Sequence, residues 1–345
     1  MLRFHSRTLS LTATLGLLLM IVSGTALAQY KVVRLDSNQA GIAAHQDPLL
    51  TNAWGLTYGP GNPFWISDEA SGWSTTYNGS GVLESTKIVI PSAGTNAGSP
   101  TGIVYNGSQE FQVEGWPSIF LFATLDGTIS GWAPQSNPNE AIIAVNNSAS
   151  GAVYTGLAIT SKPSGSLLFA ADAANNKVDV YDGTFSLVTS FTDGKLPTGF
   201  TPFGIQAIKG LVYVAFANAS GDAGGFIDVF NEAGVLLKRL VHGKPLNQPW
   251  GIALAPANFG VLSNALLISN NTNSGSINGF DATTGAFIGT ITDSAGKSIL
   301  INQLWGIEFG GGSAANGKTN QLFFTAGPNN NANGLFGFIE PIVTP

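Results

Sequence analysis

The sequence predicts an all-β fold, a six-bladed β-propeller, and three observations lead there. First, an aromatic residue or Thr, then Gly, then Leu or Ile recurs six times. The copies are Trp54-Gly55-Leu56, Thr101-Gly102-Ile103, Thr155-Gly156-Leu157, Phe203-Gly204-Ile205, Trp250-Gly251-Ile252 and Trp305-Gly306-Ile307. The glycines lie 47 to 55 residues apart, close to the period of propeller blades. Second, each glycine is followed by an aromatic that closes a short alternating run: Tyr77, Trp132, Tyr181, Phe230, Phe280 and Phe338. Third, 44 of the 345 residues are Gly, none is Cys and only 10% are charged. Soluble domains usually carry about 25% charged residues, so charged helices and coiled coils are excluded. With 44% hydrophobic residues the chain can build a large core.

Each repeat supplies strands in the same order. Between the two frames lie Phe64–Ser67, Ile119–Thr124, Leu167–Ala171, Leu211–Ala217, Ala265–Ser269 and Gln321–Thr325, rich in β-branched and aromatic residues. After most of the closing aromatics a Gly/Asn/Asp turn leads to a fourth run, as at Lys87–Ile90, Val235–Leu240 and Ala286–Ile291. No dozen-residue segment shows a 3.6-residue period. The sixth repeat stops soon after Phe338 and lacks an outer strand, while Tyr30–Leu35 stands before the first repeat without a partner. Pairing the two closes the ring and hides two strand edges. Residues 29–345 therefore read as one domain.

Residues 1–28 read as an export signal. Arg3 and Arg7 precede the apolar run Leu11 to Val22, and Ala26-Leu27-Ala28 offers a small-residue cleavage site. The expected location is secreted or periplasmic, with no membrane span after cleavage and a monomeric chain. A net charge of −6 with 14 Lys and Arg argues against a nucleic-acid partner. Lack of Cys excludes disulfides, thiolate zinc sites and a Cys nucleophile.

The repeat glycines are expected where inner strands crowd the axis, with Trp54, Trp250 and Trp305 as packing wedges between blades. Topology puts the turns between second and third strands on the same face as the connectors between blades. Asp68, Glu69, Asp126, Asp172, Asn218 and Asn271 should then ring one rim, joined by His45, Asp47, Lys195, His242 and Lys244 from the connectors. Their bland role is to cap turns. Their sharper role is an oxygen-rich site for Ca²⁺, which could polarise a carbonyl or activate water. His45 and His242 are the histidines beyond the signal, with Asp47 a possible orienting partner of His45. No nucleophile elbow or zinc-protease motif accompanies them. Gly312 to Thr319 satisfies the P-loop pattern, but a strand rather than a helix is expected after it, so nucleotide binding is rejected.

Pro202-Phe203-Gly204-Ile205 and the stretch from Asn175 to Asp182 resemble NHL-type propeller repeats. The whole chain beyond the signal resembles an uncharacterised group of exported bacterial proteins of NHL-like propeller type. The stretches that carry this run from Thr51 to Leu56, Pro100 to Asn106, Asp126 to Trp132, Pro245 to Gly251, Phe323 to Asn329 and Gly334 to Gly337. Some members of that group carry a C-terminal sorting tail; the ending Ile342-Val343-Thr344-Pro345 has none, and a released protein is expected. The resemblance implies fold and export but no chemistry.

Three functions compete at this stage. The leading one is a non-catalytic binding or scaffold module that meets an extracellular protein or polymer through the connector face. The second is a Ca²⁺-dependent lactonase or esterase resembling gluconolactonase-type propellers. The third is a structural protein of the cell envelope.

Overall fold

The computed structural model describes residues 29–94 and 97–342. The export signal read in residues 1–28 lies outside the described residues. Six sheets surround one axis, each with four antiparallel strands from axis to rim. The sixth gains the short parallel strand His45–Gln46, and Gln112–Val113 with Trp116–Pro117 forms a separate two-stranded sheet. Blade 1 comprises Ala53–Thr57, Phe64–Asp68, Trp73–Tyr77 and Leu83–Val89. Blade 2 uses Pro100–Tyr105, Phe120–Thr124, Thr128–Trp132 and Ile142–Asn146, and blade 3 Tyr154–Thr160, Leu167–Asp172, Lys177–Asp182 and Leu187–Phe191. Blade 4 runs through Phe200–Ile208, Leu211–Asn218, Phe226–Phe230 and Leu236–His242, and blade 5 through Pro249–Leu254, Ala265–Asn270, Ile277–Asp281 and Phe287–Thr290.

Blade 6 has Leu304–Phe309, Leu322–Ala326 and Leu335–Pro341, and its fourth strand is Tyr30–Ser37. That strand pairs antiparallel with Leu335–Pro341, Tyr30 opposite Pro341 and Val33 opposite Phe338. Ser37 Oγ donates to the Gly334 carbonyl at 2.8 Å, and Tyr30 OH to the Phe259 carbonyl at 2.8 Å. The expected closure of the ring by the first strand is therefore present.

The second sequence frame is the packing between blades. Tyr77, Trp132, Tyr181, Phe230, Phe280 and Phe338 are all buried, each between its own sheet and a neighbour. Fully burying such a side chain contributes about 1.5–3 kcal/mol. The first five pack towards the preceding blade and Phe338 towards blade 1, and together they hold the ring without cysteine. The first frame is the axis. A Cβ on Gly251 would lie 2.7 Å from the Trp305 carbonyl oxygen, and one on Gly306 would lie 2.9 Å from that of Trp54. Neighbouring inner strands approach that closely because glycine leaves the space empty.

Among the described residues the only helices are two short 3₁₀ turns, Ser148–Ser150 and Gly260–Leu262, and no helix is long and apolar enough to cross a membrane. Gly312 to Thr319 forms the loop before Leu322–Ala326, tied by Ser313 Oγ donating to Asn316 Oδ1. The element after the P-loop pattern is thus a strand.

Candidate functional site

Inner strands start at the connector face, so the residue before each repeat glycine sits at that end of the axis. There Trp54, Trp250, Trp305 and Phe203 form one aromatic cluster, with Leu125 against it. Trp54 stacks on Trp305, and Trp250 meets both edge-on at ring separations of 6.3 and 6.0 Å. Trp250 Nε1 donates to the Thr155 carbonyl and Trp305 Nε1 to Asn52 Oδ1, both at 2.9 Å. The tryptophans do pack between blades as expected, and they meet at the axis, which they plug.

This plug changes the meaning of the expected rim. Asp68 is fully buried, and its Oδ2 lies 2.6 Å from Thr75 Oγ1. Glu69 accepts from Asn52 Nδ2 at 2.7 Å. Asp126 accepts from the Ala93 N–H at 2.6 Å and from the Thr124 and Thr128 hydroxyls. Asp172 is fully buried and accepts from the Val153 N–H and from both nitrogens of Asn175. Asn218 caps its own turn through the Ser220 N–H, and Asn271 Nδ2 donates to the Leu304 carbonyl. Asp126, Asp172, Asn218 and Asn271 brace backbone of nearby turns and strands, whereas Asp68 and Glu69 meet the side chains of Thr75 and Asn52.

His45 and His242 are exposed at strand ends. Asp47 turns inward to accept from Tyr77 OH at 2.9 Å, so it does not orient His45. Lys195 and Lys244 are exposed on their connectors. Among the described residues, no three His, Asp or Glu side chains form a group able to hold a metal ion. Within the structure most of these side chains serve turns or neighbouring side chains, the bland role that the same residue types allow.

Two patterns escaped sequence reasoning. One lies two residues before the closing aromatic, where Thr75, Ser130, Asp179, Asp228 and Asn278 are all buried. The second frame marks this position in every blade, and its polar character in five of six was the available signal. In blade 1 it joins a chain of oxygens at the ring seam. Thr75 Oγ1 lies 2.6 Å from Asp68 Oδ2 and 3.0 Å from Tyr77 OH, while Tyr77 OH donates to Asp47. Thr75 has one hydroxyl hydrogen and that of Tyr77 is spent on Asp47, so all three links close only when Asp68 is protonated. Burial indeed raises the Asp68 carboxyl well above its ordinary range. Asp36, on the closing strand, is also buried, and burial plus the nearby Asp47 charge push it up to about 7.

The other pattern is an amide two residues before each tryptophan: Asn52, Gln248 and Gln303, all at positive φ. Their carbonyls accept from the Glu69, Asn271 and Gly327 N–H groups of the neighbouring turns. Their side chains staple the face as well. Gln248 Nε2 donates to the Asn218 and Asp222 carbonyls, and Gln303 Nε2 to Asn273 Oδ1. Beside Gln248 a groove of about 360 Å³ is bordered by Val153, Ala173, Phe203, Ala217 and Asn218. A larger, polar cleft of about 760 Å³ lies on the opposite, hairpin face among Gln109, Glu110, Lys162, Ser166, Asp182 and Glu232.

No protein-family model matches the chain. Three uncharacterised proteins of Acanthamoeba polyphaga mimivirus are similar to it. The first is 29% identical over 335 residues, covering 91% of this chain and 81% of the relative. The second is 31% identical over 299 residues, 76% of this chain but only 55% of the relative. The third is 29% identical over 303 residues, 82% and 79% of the two. These relatives are viral and uncharacterised, and they bring neither an NHL family nor a bacterial origin to this chain.

Solved structures share the fold. Virginiamycin B lyase from Staphylococcus aureus matches with a TM-score of 0.53 at 14% identity, over 91% of this chain and 100% of that one. The Dos1 propeller gives 0.51 at 11%, over 86% of this chain and 69% of that one, and the COPII outer coat vertex 0.57 at 11%, over 86% and 71%. At such identities the likeness is one of fold alone.

Proposed function

We propose that this propeller is a non-catalytic binding module whose connector face holds an uncharged, hydroxyl-bearing polymer. The observation that supports this reading is the stapled amide of Gln248 on the apolar groove, with Gln303 stapled in the same way elsewhere on the connector face. An amide side chain has two donors and two acceptor lone pairs. Gln248 uses its nitrogen in the staple and keeps its oxygen, and Gln303 does the same. Amides fixed in this way lose little further entropy on binding and can meet ligand hydroxyls from both hydrogen-bonding sides. The Phe203 ring and the alanines beside it offer an apolar floor.

The carboxylates that hydrolysis would need are occupied in turns, which weighs against the Ca²⁺-dependent reading. An exported chain, as residues 1–28 suggest, would meet neutral polysaccharides directly. Affinity electrophoresis against neutral polysaccharides (dextran, xylan, soluble starch) and anionic ones (pectin, heparin) tests the proposal. Retardation by a neutral polymer, weakened at least fivefold by Gln248→Ala, is expected. Retardation by anionic polymers alone, or none by any, would reject it.

A further inference from the structure

The axis is closed at the connector face but hollow at the other end. Leu56, Ile103, Leu157, Ile205, Ile252 and Ile307, one from each blade, ring a narrow space that ends on Trp250. Towards the hairpin face it continues into a cavity of about 120 Å³ walled by Val104, Ala158, Ile159 and Ala207. Glu308 and Gln206 border both parts, and Thr57 borders the outer one. Among the described residues that line these spaces Glu308 is the one carboxyl, and no Lys, Arg or His accompanies it.

A lone carboxyl in an aliphatic pit is costly unless something recovers the loss. Thr57 hydrogen-bonds to it, yet burial dominates and pushes Glu308 up to about 8. Tyr105 also borders the outer cavity, and Tyr58 lies beside Glu308; burial, and then the Glu308 charge, push the Tyr58 phenol up to about 12 while its OH donates to the Phe309 carbonyl. Near neutral pH the pit therefore holds a proton that a cation can displace. Ca²⁺ or Mg²⁺ suits this pit poorly, since these ions take six or more oxygens. An ammonium group has three donors, matched by the two Glu308 oxygens and the Gln206 amide oxygen. Apolar walls at the mouth suit an aliphatic stem that follows the head inward.

We infer that the axial pit on the hairpin face is a receptor for a primary ammonium group on a short aliphatic stem, held by Glu308 and Gln206. A free alkylamine and a lysine side chain share this chemistry. The site is separate from the connector face and stands or falls independently of the polymer reading.

Calorimetry with n-butylammonium, Nα-acetyl-lysine methylamide and n-butanol tests the inference on the full chain. Binding of either ammonium but not of butanol is expected. Affinity should rise about tenfold per pH unit from 6 to 8 as Glu308 gives up its proton, then level off. Butylammonium alone binding would assign a free amine; the lysine derivative binding equally well would admit a protein partner. Glu308→Gln should weaken binding at least tenfold, while Gln248→Ala on the connector face leaves it unchanged. Carbon-13 NMR of the Glu308 carboxyl in the unsubstituted protein gives a second reading, with its titration moving to lower pH when the amine is bound. Equal binding of butanol, pH-independent affinity, no binding by either ammonium, or an unmoved Glu308 titration would overturn it.

Discussion

Trp54 and Trp305 stack face to face, with ring centroids 3.7 Å apart and planes inclined by 19°, across the seam between the first and last blades. Beside the stack, Thr325 Oγ1 donates to the Trp54 carbonyl, and Trp305 Nε1 to Asn52. The seam is therefore fastened at the axis by aromatics and at the rim by the strand Tyr30–Ser37. A ring without cysteine relies on both.

Replacing Trp305 by Ala removes the stack, two edge contacts and the hydrogen bond to Asn52. A large-to-small change at a buried aromatic costs about 3–5 kcal/mol. The urea midpoint of Trp305→Ala should fall accordingly, and Trp305→Phe should recover part of the loss. A midpoint unchanged in Trp305→Ala would show that the plug is not a structural tie.

A chain that starts after Ser37 loses the outer strand of blade 6 and exposes the Leu335–Pro341 edge, which pairs with that strand along its length. Unpaired edges template association. Light scattering should show oligomers or aggregates, where the full chain remains a single species. A monodisperse truncated chain with unchanged melting would contradict the closure.

Stability should also fall as pH rises. Asp36 and Asp228 are each pushed up to about 7 by burial, and Glu308 to about 8. An unfolded carboxyl titrates near 4, so the folded state holds more protons between these values. The stabilisation is present below about pH 4 and is lost as pH climbs through 7 and 8. Asp182, Asp193, Asp281 and Glu340 have lowered values and act oppositely, losing their contribution only below about pH 4. The melting temperature should be higher at pH 5 than at pH 8.5, and Asp36→Asn should narrow the gap, each kcal/mol recovered appearing as about 2–4 °C. A flat profile from pH 5 to 8.5 would contradict the buried seam.

The blades were legible because both frames are periodic and tied to backbone crowding or burial. Gly251 must be small and Tyr77 must be large wherever the blade repeats. Closure by Tyr30–Ser37 followed from a missing strand at one end and a spare one at the other. The site was less legible. Asp172 as a turn brace and Asp172 as a metal ligand look alike in sequence, and only the positions of Val153 and Asn175 decide between them. Glu308 occupies an ordinary strand position two residues after its glycine, and nothing local shows that six aliphatic neighbours from six blades enclose it. The amides at Asn52, Gln248 and Gln303 were visible before their tryptophans, but their meaning lies in contacts with other blades.

Hydrogen–deuterium exchange with and without the neutral polysaccharide that binds best tests the functional claim most directly. Protection confined to the connector face is expected, in residues 199–203, 218–224, 247–250 and 271–275. Protection on the hairpin face instead, or none with any polymer of the panel, would contradict a connector-face binding module.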